Sequence, residues 1–172
     1  RGVLETLVNI SLSDKDFPPY SLQQFYIGHA PVFAQRLSFT GEMGWEIFIT
    51  PDFAEYVFEQ LYQAGQTYDL RLAGGEALNA LRIEKGFVHW GSDMAYTESP
   101  HQIGLGFACH VDKDIAFTGK AAYLARRAEA KGPFLCSLKL QQPDAMLHHN
   151  EPVLRDGVIV GFITSGAFSA AK

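Results

Sequence analysis

The sequence is poor in cysteine, in long apolar runs and in positive charge, and each shortage removes a class of protein. Its two cysteines, Cys109 and Cys136, have no CxxC spacing and define no disulfide framework. A reducing compartment is therefore the expected setting, cytoplasmic or, in a eukaryote, the mitochondrial matrix. No apolar run approaches the roughly 20 residues that span a bilayer. No basic N-terminal stretch leads into an apolar one, as a signal peptide would. Fourteen basic residues face 19 acidic ones, a formal net charge of −5. That balance offers no attraction to a phosphate backbone, so neither nucleic acid nor membrane is an expected partner. Repeats and low-complexity tracts are also lacking. What is present is 47% hydrophobic and 19% charged over 172 residues, a globular composition long enough to bury a core without staples.

The pattern along the chain mixes helix and strand. Residues 1–30 show no clear period, and Asp16-Phe17-Pro18-Pro19-Tyr20 reads as a loop. Residues 32–40 read as a strand and residues 45–50 as its return, joined by the glycine-bracketed Gly41-Glu42-Met43-Gly44. Pro51-Asp52 opens a helix, with Asp52 as its cap and Glu55 completing a capping-box pattern. Phe53, Val57, Phe58, Leu61 and Ala64 form its apolar stripe, and Gly65 is placed to end it. A second helix is predicted over 75–85 with Gly86 as its stop, and a third over 118–131 before Gly132-Pro133. Beyond Pro133 the helical period disappears. FLCSLKL (134–140) reads as a strand, and Asp156-Gly157 marks a hairpin. The expected architecture is α+β over residues 1–131 and all-β over 132–172.

Candidate chemistry is sparse. On the return strand Trp45, Ile47 and Ile49 point one way, Glu46 and Phe48 the other. Glu46 is then either a solvated position on a half-buried sheet or a carboxylate lining an apolar pocket. In the second case it would accept hydrogen bonds from a heterocycle presenting adjacent N–H groups. Arg82 has Leu78, Asn79, Lys85 and Gly86 as helical neighbours, none of them acidic. It is a snorkelling surface residue, one half of a longer-range pair with an acid such as Glu46, or an anion contact. His89-Trp90-Gly91-Ser92-Asp93 places three catalytic residue types together, but triads assemble through folding and not by adjacency. The aromatic pair there reads as a pocket wall or loop anchor. Gly104 to Phe107 (GLGF) lacks the third glycine of a dinucleotide fingerprint. His148 and His149, if on a strand, point to opposite faces and do not share a metal ion. No metal site is expected.

Four stretches taken in order are more specific. LSFTGEMGWEIFITP (37–51), LRIEKGFVHWGSDM (81–94), IGLGFACHVDKDIAFTGKAAYL (103–124) and GFITSGAFS (161–169) resemble the tetrahydrofolate-dependent aminomethyltransferase family. That family comprises the T-protein of the glycine cleavage system and the related folate domain of dimethylglycine and sarcosine dehydrogenases. The resemblance runs from about residue 15 to the end, and the Glu-Lys-Gly-Phe…His-Trp-Gly wording leans toward the dehydrogenase-fused branch.

The resemblance implies domains ringed around a folate channel. Residues 1–131 would hold the end of a first domain and a ferredoxin-like folate-binding domain, and residues 132–172 the start of a β-barrel-like one. It implies tetrahydrofolate as cofactor and Glu46, Arg82, Phe39 and Trp90 as the residues around it. Glu46 would take the pterin edge, Arg82 would help hold it, and Phe39 and Trp90 would be ring walls. Phe39 departs from the usual tyrosine and loses a hydroxyl there. The reaction implied moves a one-carbon unit from an amine to tetrahydrofolate, giving 5,10-methylenetetrahydrofolate. The family's catalytic aspartate would lie upstream of Arg1 and a further folate-contacting arginine beyond Lys172, so no catalytic residue is assigned within the chain. FAD would belong to a fused upstream flavin domain; the other partner implied is a lipoyl carrier protein. A non-catalytic folate-binding regulatory module of the same fold is the alternative.

Overall fold

The computed structural model describes residues 1–129 and 131–169. Ala130, a position of the helix predicted over 118–131, falls outside them. The chain divides into two compact units, Arg1–Leu78 and Asn79–Lys172.

In the first unit a short helix α1 (Gly2–Glu5) precedes an antiparallel sheet of β1 (Leu22–Ile27), β2 (Ala30–Gln35) and β3 (Glu46–Phe48), in that spatial order. Helix α2 (Pro51–Gly65) follows. One face of the sheet holds Phe25, Ile27, Ala30, Val32 and Ala34, all buried. Val57 of α2, with Leu4, Val8, Leu12 and Phe17 from the N-terminal segment, completes this core. Strand β1 has no signal in the sequence because apolar residues occupy both of its faces, Leu22 and Tyr26 on one, Phe25 and Ile27 on the other. Alternation cannot mark such a strand.

Its turn is Gly28-His29, with Ile27 opposite Ala30 and Gly28 at φ +58. Positive φ at the first central residue is the pattern of a type II′ turn, which only glycine enters without strain. A Cβ at Gly28 would also collide with the Tyr56 hydroxyl of α2. Gly28→Ala is expected to cost about 1–2 kcal/mol from backbone strain alone. It should lower the urea midpoint without changing the slope.

The predicted strand over 32–40 stops at Gln35. Arg36 still donates its N–H to Ser21 O and accepts the Tyr20 N–H, but from Ser38 on side chains compete for the backbone. The Arg36 guanidinium turns back to Asp14 at 2.7 Å. Ser38 Oγ takes the Thr40 N–H at 3.3 Å and meets Thr40 Oγ1 at 2.7 Å. Such local bonds replace a sheet ladder. The connection to β3 therefore spans 36–45 rather than the predicted glycine-bracketed four residues.

Helix α2 has the expected limits but a different cap. Thr50 is the N-cap, without a side-chain bond, and Pro51 opens the first turn. Asp52 lies inside that turn, where its charge meets the helix N-terminus. Phe53, Tyr56, Val57 and Leu61 face the core, whereas Phe58 is exposed and stacks on Tyr62 at 5.9 Å. The helix ends through a 3-10 turn, Gln66–Tyr68, closed by Asp69 at φ 51. Gly65 keeps a right-handed backbone and is small because Leu70 packs where its Cβ would be.

In the second unit α3 (Gly75–Glu84) arrives across the division between units. A short 3-10 turn, Gly106–Cys109, precedes α4 (Lys120–Glu129), and β4 (Pro152–Arg155) pairs with β5 (Val158–Phe162). Asp156 and Gly157, at φ 53 and 79, make the expected type I′ hairpin turn. FLCSLKL forms no strand; among the described residues no strand pairs with it, and Leu135 N–H bonds Gln102 O at 2.8 Å. His148 and His149 also lie outside any strand. His149 instead sits on a turn with Nδ1 at 2.7 Å from Thr164 O.

Candidate functional site

Two groups of side chains deserve a chemical reading, one in each unit. The first is on the open face of the three-stranded sheet. Trp45, Ile47 and Ile49 pack on the core, so alternation turns Glu46 and Phe48 to the other side. The register puts Gln35 directly across from Glu46 and Phe33 directly across from Phe48. Opposed residues of an antiparallel pair share a face, with Cβ atoms about 4.5–5.5 Å apart. A carboxylate and an amide thus form one row, and two phenyl rings the next. Phe33 is 47% and Phe48 52% exposed. Among the described residues Glu46 has no ion-pair or side-chain hydrogen-bond partner. A carboxylate accepts two N–H bonds, an amide both donates and accepts, and the rings offer a flat apolar bed. The combination suits a planar heterocycle with adjacent N–H donors. Phe39 lies half-buried in the 36–45 connection of the same unit.

The second group is centred on Arg82. Helix α3 ends in a Schellman motif: Phe87 N–H bonds Arg82 O at 2.9 Å and Gly86 N–H bonds Ile83 O at 3.0 Å, with Gly86 at φ +73. Gly86 is the predicted stop, and the left-handed backbone is the reason. This motif turns the chain back over Arg82, which is only 3% exposed. All five of its N–H donors are engaged. Nε and Nη2 bond Asn79 Oδ1 at 2.8 and 2.6 Å. Nη2 also bonds Ser165 Oγ at 2.7 Å, and Nη1 bonds Phe87 O at 3.1 Å and the Asp93 carboxylate. The long-range acid partner of Arg82 is therefore Asp93.

Asp93 is equally well served. His89 N–H reaches Oδ2 at 2.9 Å, and the hydroxyls of Thr164 and Ser165 reach Oδ1 at 2.6 and 2.7 Å. Burial pushes its carboxyl up, but the bonds from Thr164, Ser165, His89 and Arg82 outweigh that and hold it below the ordinary carboxylate range. A depressed folded value gives stability that is complete above the unfolded value, about 3.9, and lost as pH falls through the folded one. Urea unfolding from about pH 6 to about pH 2 should thus show an acid limb that flattens in Asp93→Asn. An unchanged limb would remove Asp93 as its source.

The loop that follows α3 is closed by Gly91 N–H to Met94 O at 2.8 Å and Asp93 N–H to His89 O at 2.9 Å. Trp90 stands on it, 62% exposed. Glu46 and Phe39 thus belong to the first unit, Arg82 and Trp90 to the second. Phe33, Gln35, Thr164 and Ser165 carry no spacing signal for their places. Only strand register reveals the first two, and only a contact across more than 70 positions of chain the others. Among the described residues no group of three or more His, Cys, Asp or Glu is arranged to hold a metal, and no helix is long and apolar enough to cross a membrane.

Comparison with known proteins shows which family the chain belongs to. Residues 1–113 match the model of the GCVT N-terminal domain, and residues 134–171 that of the glycine cleavage T-protein C-terminal barrel domain. The chain belongs to the glycine cleavage T-protein family. A relative in Rattus norvegicus, dimethylglycine dehydrogenase, mitochondrial, is 36% identical over 169 residues, 98% of this chain and 20% of that protein. The 4-methylaminobutanoate oxidase (formaldehyde-forming) of Paenarthrobacter nicotinovorans is 39% identical over 136 residues, 79% of this chain and 16% of the oxidase. An aminomethyltransferase of Synechococcus sp. (strain RCC307) is 35% identical over 168 residues, 98% of this chain and 45% of the transferase. The chain thus spans a fifth or less of the first two relatives and under half of the transferase. Mixed helix and strand content fits the family assignment.

Proposed function

We propose that this chain is part of a tetrahydrofolate-dependent enzyme that moves a one-carbon unit from an amine to the folate. The carrying observation is the open sheet face, where Glu46 has no side-chain partner among the described residues and shares its face with Gln35, Phe33 and Phe48. Tetrahydrofolate supplies the nucleophilic nitrogen of the reaction. The chain's own residues then bind, orient and exclude water. Glu46 accepts the amine-and-imide edge of the pterin, and Gln35 supplies a second polar contact. Phe33 and Phe48 bed the ring system, with Phe39 as a further wall; Trp90, in the second unit, is proposed as a folate contact on the resemblance of the motifs.

Arg82 has a narrower way to take part. Its bond to Asp93 joins two charges and is the strong one, whereas those to Asn79 and Ser165 join it to neutral groups. A ligand oxygen would displace one of the neutral partners. A ferredoxin-like arrangement around the sheet and a barrel closing over residues 134–171 complete the reading. The amine substrate, an FAD-bearing domain fused upstream and a lipoyl carrier are proposed on the names of the relatives and the resemblance of the motifs. A cytoplasmic or mitochondrial-matrix setting agrees with this.

The test is folate binding by the full-length protein. Addition of 5-formyltetrahydrofolate, a stable reduced folate, should raise its melting temperature, because a ligand that binds only the native state stabilises it by mass action. No shift at saturating folate would exclude a folate site.

A further inference from the structure

We propose that Asp93 is a positioning residue that ties the folate-side arginine to the C-terminal barrel domain. The proposal rests on the reading of Arg82 and Trp90 as folate-site residues. Arg82, Ser92 and Asp93 lie in the segment matched by the N-terminal domain model, and Thr164 and Ser165 in the segment matched by the barrel domain model. The ion pair at the centre of the network is desolvated, the Arg82 and Asp93 side chains being 4% and 5% exposed, and Ser92, Thr164 and Ser165 around it are half-buried.

Each end of the network is held from both sides. Asp93 takes Arg82 and the His89 N–H on Oδ2, and the two hydroxyls on Oδ1. Ser92 Oγ donates to Thr164 O at 3.0 Å and meets Ser165 Oγ at 2.9 Å. Ser165 is also an acceptor for Arg82 Nη2. One carboxylate thus sets three things together: the guanidinium plane, the loop that presents Trp90, and the chain just beyond β5. A buried ion pair replaced by apolar residues is often no less stable. Mere stability therefore gives no reason for this charge, whereas fixed geometry at a binding site does. The two hydroxyls, with the His89 N–H and Arg82, hold the Asp93 carboxyl below the ordinary carboxylate range despite its burial. Asp93 acts on the ligand only through Arg82 and the Trp90 loop; it is not itself a ligand contact.

The experiment measures 5-formyltetrahydrofolate binding by calorimetry on the full-length protein. The variants are Asp93→Asn, Arg82→Gln, their double variant, and Glu46→Gln, all at a temperature where circular dichroism shows each folded. Asp93→Asn should weaken binding about tenfold, and the double variant should lose less than the two single losses added together, because part of the effect of Asp93 passes through Arg82. Combined with Asp93→Asn in one chain, Glu46→Gln should add its own loss. If Glu46→Gln weakens binding and folded Asp93→Asn leaves it unchanged, the positioning role is overturned while the folate reading stands. If neither variant changes binding, the folate reading fails and the proposal falls with it. Should Asp93→Asn not fold, Ser165→Ala takes its place. It removes one hydroxyl and is expected to weaken binding about threefold; no loss would overturn the proposal.

Discussion

Glu46→Ala is expected to weaken reduced-folate binding by about tenfold or more. A hydrogen bond that involves a charged partner contributes on the order of 1.5–3 kcal/mol, and about 1.4 kcal/mol is a factor of ten. Glu46 has no competing protein partner among the described residues, so its full acceptor capacity is open to a ligand. The same exposure means that its removal leaves the fold nearly untouched, within about 0.5 kcal/mol. Affinity and stability therefore separate, and calorimetry beside a urea titration on the full-length protein reads both. Equal folate affinity in the variant and the parent would remove Glu46 from the site.

Arg82→Ala has the opposite signature. Breaking a buried pair by deleting one partner costs about 3–5 kcal/mol, because the other charge stays buried and uncompensated. Here the stranded group is the Asp93 carboxylate, and Asn79, Phe87 and Ser165 lose donors as well. The urea midpoint should drop sharply. Removal of Asp93 in the same chain should recover part of the loss, since no charge is then left without its counter-ion. A midpoint within experimental error of the parent would show that Arg82 is solvated.

These two residues also show how far the chain could be read without its fold. Alternation on 45–49 correctly divides the strand into a core side and an outer side, because pleating permits nothing else. It leaves Glu46 undecided between solvent and pocket, since a strand's pattern says nothing of what lies across from it. Gln35 and Phe33 become neighbours of Glu46 and Phe48 only through register. For Arg82 the lack of an acidic helical neighbour is legible, and so is Gly86 as the stop. The partner is not, because Asp93 reaches it through a Schellman turn and a closed loop. Where local chemistry competes with pairing the reading fails: the Ser38–Thr40 turn cuts β2 short, and FLCSLKL has the composition of a strand without a ladder to join.

By itself the sequence determined the class, the helices predicted at 51–65, 75–85 and 118–131, the last of them two residues longer at its start than α4, the Asp156-Gly157 turn and the family. These depend on periods, caps and left-handed glycines, which act over a few residues, and on ordered motifs. Tertiary structure alone decided that Arg82 meets Asp93, Thr164 and Ser165, and that Glu46 shares a face with Gln35, Phe33 and Phe48. Both are meetings between segments apart in the chain, set by strand register and by the need to satisfy every buried charge.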